Sequence, residues 1–223
     1  MLFQFDEIPS TQDVLKDYYR DKTAVFGDAV TAEAQTHGRG RYGHHFHSPK
    51  GRGIYLSILL PYRDIDRLTI RTAALVMKVI EDVAGVAVKV KWVNDLLLHG
   101  RKIAGILAEA VVDDAGRPGA VIVGVGINLT EPPGGYPEDI RDRAGALLSP
   151  TEQNAMPVQA VTQLKKSLTA ALLEKLQEMG ATEESAEEFA LYRARLINPS
   201  EVPPGALDAI CLPGAPASSG PDR

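Results

Sequence analysis

The sequence predicts an α+β fold: a mixed, mostly antiparallel central sheet with flanking helices. Short apolar segments with strand character recur over residues 1–129, and helical spacing of apolar residues is found over 65–84 and again after residue 157. The helices therefore come in blocks, which argues against a doubly wound parallel sheet. A chain of 223 residues with 44% hydrophobic content can bury one sizeable core.

Local patterns place the elements in order. The predicted strands cover residues 2–7, 30–34, 53–60, 86–92, 96–98, 103–112 and 120–129. The predicted helices cover residues 11–20, 65–84, 157–179 and 183–196. Ser10 is the predicted N-cap of the first helix, and Asp13 is expected to complete a variant of the capping box. The run His99-Gly100-Arg101-Lys102 predicts a hairpin turn, and the Pro- and Gly-rich residues 131–149 predict a loop.

The predicted main domain covers residues 1–196. Residues 197–223 contain six prolines and three glycines without hydrophobic periodicity, so they are predicted to be a C-terminal tail.

Composition excludes several classes of protein. The net charge of −5 argues against nonspecific nucleic-acid binding, although it does not exclude a local basic patch. A single cysteine, Cys211, fits a reducing compartment. The start of the chain lacks the features of a secretion signal, and no apolar run reaches the ~20 residues of a membrane span. We therefore expect a cytoplasmic protein without membrane or nucleic-acid partners.

The most unusual stretch, residues 33–51, is rich in glycine, arginine and histidine. Its run Gly38-Arg-Gly-Arg-Tyr-Gly43 matches G-x-G-x-x-G, but no helix can follow it, so the dinucleotide-binding interpretation is rejected. Two interpretations remain: a basic surface loop, or a loop whose backbone and arginines close on an anion. Four of the five histidines lie here, and their spacing fits no common structural zinc site.

Other candidates lie at strand ends and within strands. Lys91-Trp-Val-Asn-Asp95 ends an alternating strand and is either a turn or a lysine and carboxylate beside a ligand. Gly105, Gly124 and Gly126 interrupt strands, which often marks the close approach of a ligand or of another backbone.

Taken jointly and in order, these motifs resemble those of the biotin protein ligases. The set comprises Ser10-Thr11, Gln35, GRGRYG (38–43), Ser48-Pro49-x-Gly51, Tyr55-x-Ser57, KWVND (91–95), RKIAGIL (101–107) and GVGIN (124–128). The resemblance implies a class II synthetase-like biotin/lipoate ligase catalytic domain. Because the first predicted strand starts at residue 2 and leaves no room for a helix-turn-helix before it, we expect a single-function enzyme without a DNA-binding domain.

The resemblance implies a two-step reaction with ATP, Mg²⁺ and biotin. Biotin would be activated as biotinyl-5′-AMP with release of pyrophosphate, and then transferred to a lysine of a biotin carboxyl carrier protein domain, such as that of acetyl-CoA carboxylase. The resemblance does not decide whether the protein forms a homodimer. Two alternatives remain: a degenerate paralogue that binds biotin or biotinyl-AMP without transfer, and a ligase for lipoate or another acyl acid.

The resemblance also assigns roles to residues. The catalytic set would be Lys102, Arg41 and Asp95, with Asp95 also a candidate Mg²⁺ ligand. The biotin-binding set would be Ser10, Thr11, Gln35, Arg39, Arg41, Lys102 and Gly105. The ATP- and adenylate-binding set would be Gly38, Arg39, Gly40, Arg41, Phe46, Lys91, Asn94 and Asn128. Residues 33–51 would then be a lid over the acyl-adenylate.

Three departures from the family pattern accompany the resemblance. Tyr42-Gly43-His44-His45-Phe46 replaces an arginine-glycine-arginine-x-tryptophan run, so that two cations are absent from the lid. Val93 replaces a proline. The tail over 197–223 stands in place of the family's small β-barrel domain.

Overall fold

The computed structural model describes residues 1–112, 116–197, 199–203 and 206. The strands are β1 (Leu2–Ile8), β2 (Ala29–Gln35), β3 (Gly53–Pro61), β4 (Lys89–Lys91), β5 (Asp95–Leu98), β6 (Arg101–Val112), β7 (Pro118–Asn128) and β8 (Leu196–Ile197). The helices are α1 (Thr11–Arg20), α2 (Ile65–Ala84), α3 (Pro150–Ala155), α4 (Val158–Ala181) and α5 (Ala186–Arg195). Short 3₁₀ turns are found at Arg41–Gly43 and Pro199–Glu201.

The strands form one sheet in the order β1-β2-β3-β7-β6-β5-β4-β8. The β1–β2 and β4–β8 pairs are parallel, and the other neighbours are antiparallel. The predicted α+β class with a mixed, mostly antiparallel sheet is thus confirmed.

Alternation along the central strands divides the sheet into two faces. On β3, Ile54, Leu56 and Ile58 belong to the larger core, which also contains the buried sides of α2, α4 and α5. Leu59 points to the opposite face and packs with Leu15 of α1 in a smaller core. Because α1 packs on β2, β3 and β7, this second face is only partly covered by a helix, and the uncovered part holds the candidate site.

Two arginines of α2 fasten the start of α5 to α2. Arg67 donates through Nε to Glu184 at 2.8 Å, and Arg71 donates through Nε to Glu188 at 2.7 Å. Glu188 also completes the capping box of α5 with Ser185. Both arginines are buried. Helix α5 begins at residue 186, directly after its N-cap Ser185, and not at the predicted 183.

Several local predictions were wrong. Ser10 is the N-cap of α1, but its side chain makes no capping hydrogen bond, and the carboxylate of Asp13 binds Arg39 and not the backbone of Ser10. Of the strand predicted over 86–92, only Lys89–Lys91 pairs, and its pairing with β5 ends at Lys89 opposite Leu97. The turn predicted over 99–102 is shorter, because Arg101 and Lys102 already belong to β6.

The predicted tail lies mostly outside the described residues, as do residues 113–115 of a predicted turn. Within the described part, Ile197 pairs with Lys91 in the sheet. No described helix combines the length and the apolar character needed to cross a membrane.

Candidate active site

The floor of the candidate site is a row of residues that the sheet register brings side by side. Tyr55 of β3 pairs with Gly126 of β7, Gly126 pairs with Gly105 of β6, and Gly105 pairs with Asp95 of β5. Ser57, two residues after Tyr55 on β3, pairs with Gly124, two residues before Gly126 on β7. The glycines therefore leave a channel across the uncovered face, and this explains why glycine interrupts these strands.

A cleft of about 420 Å³ lies above this floor. Its lining includes twelve of the predicted site residues, namely Ser10, Thr11, Gln35, Arg39, Gly40, Arg41, Phe46, Asn94, Asp95, Lys102, Gly105 and Asn128. Gly38 lines a neighbouring cleft beneath the glycine-rich segment. Lys91 is exposed on β4 and is not part of the lining of either cleft.

Lys102 lies at one end of the floor. Its Nζ is 2.6 Å from Asp95 Oδ1, and both side chains are about one-third exposed. The same Nζ stands 6.0 Å from the centre of the Phe46 ring. A cation that is partly desolvated and held by one carboxylate is well placed to bind a carboxylate or phosphate of a ligand.

The other end of the cleft is polar and buried. Thr11 donates from its backbone N to Gln35 Oε1 at 2.8 Å, and its hydroxyl contacts Ser57 Oγ at 2.8 Å. The Oγ of Ser10 and the Oε1 of Gln12 are buried and have no hydrogen-bond partner among the described residues. Buried polar atoms without partners are costly, so this end of the cleft favours polar groups over apolar ones.

The glycine-rich segment forms a hairpin over the cleft, here called the lid hairpin (residues 38–46). Phe46 N donates to Gly38 O at 2.9 Å, and Gly40 N donates to His44 O at 2.8 Å. At its tip Tyr42 is 87% exposed and has a φ of 56°, a left-handed conformation uncommon for residues other than glycine. The adjacent Arg41 lies 5.2 Å from the centre of the Tyr42 ring.

Two contacts fasten the lid hairpin to the body of the protein. Arg39 donates to Asp13 Oδ1 of α1 at 2.5 Å and to Glu109 Oε1 of β6 at 2.7 Å. The predicted role of Arg39 was to bind biotin and adenylate, yet in this structure its guanidinium binds these two carboxylates. Of the two lid arginines, Arg41 is the one without an ion pair among the described residues.

Phe46 covers the glycine floor. A Cβ added to Gly126 would come within 2.6 Å of its ring, and one added to Gly105 within 3.4 Å. The ring also contacts Tyr55 edge to face, with 6.4 Å between ring centres. At position 126 a side chain would therefore clash with the ring, whereas at position 105 a Cβ would be in ordinary contact with it.

Sequence reasoning missed one wall of the cleft, formed by Tyr136, Asp139, Ile140, Arg143 and Ala144. This wall is joined to the strand of Lys102 by backbone hydrogen bonds: Lys102 N donates to Arg143 O at 2.7 Å, and Gly145 N donates to Lys102 O at 2.9 Å. The segment has no hydrophobic period, so its sequence gives no signal beyond that of a loop. Gln12 was also missed, although it follows the Ser10-Thr11 pair directly.

Burial shifts the pKa of two groups at the cleft. It raises the pKa of the Tyr136 hydroxyl above its ordinary value, so that this group stays a donor to Gly145 O at 2.8 Å. Burial and the neighbouring His45 lower the pKa of His47, which favours the neutral imidazole. Within the described ranges, no three His, Cys, Asp or Glu side chains are arranged to hold a metal ion.

Known proteins share this sequence and this architecture. Residues 4–128 match the model of the biotin/lipoate A/B protein ligase family. The bifunctional ligase/repressor BirA of Bacillus subtilis is 35% identical over 150 residues, which cover 66% of this chain and 46% of that protein. The biotin–[acetyl-CoA-carboxylase] ligase of Mycobacterium tuberculosis is 35% identical over 132 residues, which cover 56% of this chain and 46% of that protein.

A solved structure extends the likeness to the fold. The biotin protein ligase from Aquifex aeolicus, in complex with biotin and ATP, aligns with a TM-score of 0.65 and 26% identity over 88% of this chain and 78% of that one. The chain spans about half the length of these curated relatives. Since the family model covers more than half of its residues, the chain belongs to the biotin/lipoate A/B protein ligase family.

Proposed function

We propose that this protein is an ATP-dependent ligase that activates biotin as biotinyl-5′-AMP and transfers the biotinyl group to a lysine of a carrier domain. The observation that carries the proposal is the position of Lys102, beside Asp95 and at the end of a channel floored by Gly105 and Gly126. An acid with a long, thin tail fits this arrangement once the ring of Phe46 has moved off the floor, since the tail can then lie over the glycines while its carboxylate meets the lysine.

In the first step, a carboxylate oxygen of biotin attacks the α-phosphorus of ATP, and the bond to the bridging oxygen breaks to release pyrophosphate. Negative charge builds up on the oxygens around phosphorus. Lys102 and Arg41 are the cations that would stabilise this charge. Asp95 holds the ammonium of Lys102 in place, with 2.6 Å between Oδ1 and Nζ.

In the second step, the ε-amine of the carrier lysine attacks the carbonyl carbon of the anhydride. The bond to the phosphate oxygen breaks, AMP leaves and the amine loses a proton. The anhydride is prone to hydrolysis, so a cover that excludes water is needed between the steps. The lid hairpin supplies that cover, because it already lies over the cleft and carries Arg41 and Phe46.

Mg²⁺ binds through one or two carboxylates together with phosphate oxygens. Asp95 fits as such a ligand, because its carboxylate lines the cleft beside the proposed phosphate position. A metal bound there would neutralise phosphate charge. The carrier we propose is a biotin carrier domain of the kind found in acetyl-CoA carboxylase, the protein named as the substrate of the Mycobacterium tuberculosis relative.

One observation favours a second candidate, a protein that binds biotin without transferring it. Arg39, predicted to contact the ligand, is held by Asp13 and Glu109. The two candidates are separated by incubating the protein with biotin, ATP, Mg²⁺ and a carrier domain, and by probing the carrier with streptavidin. The ligase labels the carrier and releases pyrophosphate only when biotin is present. Biotin binding without either product would favour the second candidate.

A further inference from the structure

The ring of Phe46 occupies the channel that the tail of the proposed acid needs. A Cβ added to Gly126 would come within 2.6 Å of this ring, and one added to Gly105 would contact it at 3.4 Å. These two glycines are paired neighbours in the floor on which the tail would lie. Two groups cannot fill the same volume, so the ring and the tail exclude each other. In this position the lid hairpin therefore blocks the channel as well as covering the cleft.

Three charged side chains hold the lid hairpin in this position, and they are here called the latch (Arg39, Asp13 and Glu109). Arg39 donates to Asp13 Oδ1 of α1 at 2.5 Å and to Glu109 Oε1 of β6 at 2.7 Å. Hydrogen bonds between two charged groups are the stronger ones. The three side chains are 36%, 43% and 31% exposed, so dissolved salt can reach and weaken the latch.

The backbone of the lid hairpin joins the latch to the ring. Arg39 pairs with His45 across the hairpin, and Phe46 N donates to Gly38 O at 2.9 Å. The residue that carries the ring thus directly follows the residue that pairs with Arg39. Because these bonds tie the two sides of the hairpin together, lifting it far enough to clear the floor must break the latch.

We propose that the latch is an autoinhibitory contact: it stabilises the state in which Phe46 blocks the channel, and an acid binds only after the latch has opened. The inference rests on the proposed function and adds how entry to that site is controlled. Apparent affinity is reduced by the fraction of molecules in the competent state, so a channel blocked roughly nine times in ten lowers the affinity for the acid about tenfold. Salt screens the charges of the latch and thereby frees the channel.

The test compares the wild type with Asp13→Asn, which keeps the size of the side chain and removes the charge that holds Arg39. Asp17→Asn, at an exposed position of the same helix, is the matched control. Trypsin cleavage after Arg41 measures opening of the lid hairpin, and calorimetry without ATP measures biotin binding. Asp13→Asn should raise the cleavage rate and tighten biotin binding, each by about two- to fivefold, the effect of one partly exposed ion pair. The control should match the wild type, and added salt should bring Asp13→Asn and the wild type together.

Phe46→Ala is the second variant, because it removes the ring and leaves the glycine floor and the latch in place. Without ATP it should bind biotin more tightly than the wild type, by up to about tenfold. A ring that served only to line the biotin site would give the opposite result, since its loss would weaken binding.

The outcomes separate this proposal from the ligase function. Cleavage of a folded Asp13→Asn protein at the rate of the control would overturn the latch. Faster cleavage together with weaker biotin binding would show that the fastened lid hairpin favours binding, and would overturn the autoinhibition. Wild-type protein that binds biotin but labels no carrier would refute the ligase function alone, since cleavage and calorimetry would still decide the role of the latch. Wild-type protein that binds no biotin would overturn both.

Discussion

Adding one methyl group at Gly126 tests how the lid hairpin fits the floor. Gly126 lies in mid-strand, paired with Tyr55 on one side and Gly105 on the other. A Cβ at this position would stand 2.6 Å from Cε1 and 2.7 Å from Cζ of Phe46. Carbon atoms in contact are normally about 3.5–4.0 Å apart, so the ring would have to move by about 1 Å.

The strain cannot be relieved in the sheet, because both neighbouring strands hold β7 in register. Phe46 is also fixed: its N donates to Gly38 O at 2.9 Å, and its carbonyl accepts from Ser48 Oγ at 2.9 Å. The lid hairpin must therefore lift or the ring must leave the floor. Overpacking of this kind costs about 1–3 kcal/mol, and the tail of a bound acid would meet the same methyl group.

We expect Gly126→Ala to raise the KM for biotin at least tenfold in the pyrophosphate-release assay, as a cost of about 1.4 kcal/mol corresponds to a factor of ten. Gly119→Ala on the same strand is the control. Its Cβ would meet only Tyr19 Oη, at 3.3 Å, so its KM should stay near that of the wild type. A Gly126→Ala enzyme with the wild-type KM would refute the packing argument.

Three further predictions concern charged groups. Lys102→Met should lower the rate of biotin-dependent pyrophosphate release by about 10²–10³, which is the usual effect of losing one group that stabilises the transition state. The control is Lys89→Met, at an exposed position of β4, which should keep the wild-type rate. Asp95→Asn should raise the Mg²⁺ concentration needed for half-maximal release; an unchanged requirement would remove Asp95 from the metal site. The hydrogen bond from Arg67 lowers the pKa of Glu184 below its ordinary value of 4.5, although burial opposes this shift. The ionised Glu184 carboxylate therefore stabilises the folded protein above pH 4.5. This stabilisation is lost as the pH falls through the lowered pKa. Glu184→Gln should therefore reduce the free energy of unfolding at pH 7 by about 1–2 kcal/mol, and urea titrations should show the two proteins converging at acidic pH.

Elements with strong local signals were predictable from the sequence. Helix α2 has the predicted bounds, 65–84, because its apolar stripe is long and Gly85 ends it with a left-handed φ of 69°. The strand predicted over 86–92 was too long, because alternation sets which side chains are buried but not how far a neighbouring strand extends. Only Lys89–Lys91 has a partner in β5.

The lining of the candidate site was predictable where the motif residues themselves line the cleft, as Lys102, Asp95 and Gly105 do. It was not predictable where position depends on distant partners. The Asp13 carboxylate binds Arg39, which is 26 residues away in sequence. A local rule for helix capping considers only the nearby backbone, so it cannot predict that Arg39 binds this carboxylate. Arg143 reaches the cleft through its backbone bond to Lys102, which no local pattern encodes.

A chain of hydrogen bonds links the polar end of the cleft to the part over the floor. Thr11 N donates to Gln35 Oε1 at 2.8 Å, and Gln35 Nε2 donates to Ser48 Oγ at 2.9 Å. Ser48 Oγ donates in turn to the carbonyl of Phe46, whose ring covers the channel. The tail of an acid bound over the glycines would have to displace that ring, while its head group would lie at the Thr11 end of the same chain. We therefore expect binding at one end to be coupled, through Gln35, to movement of the lid hairpin at the other end.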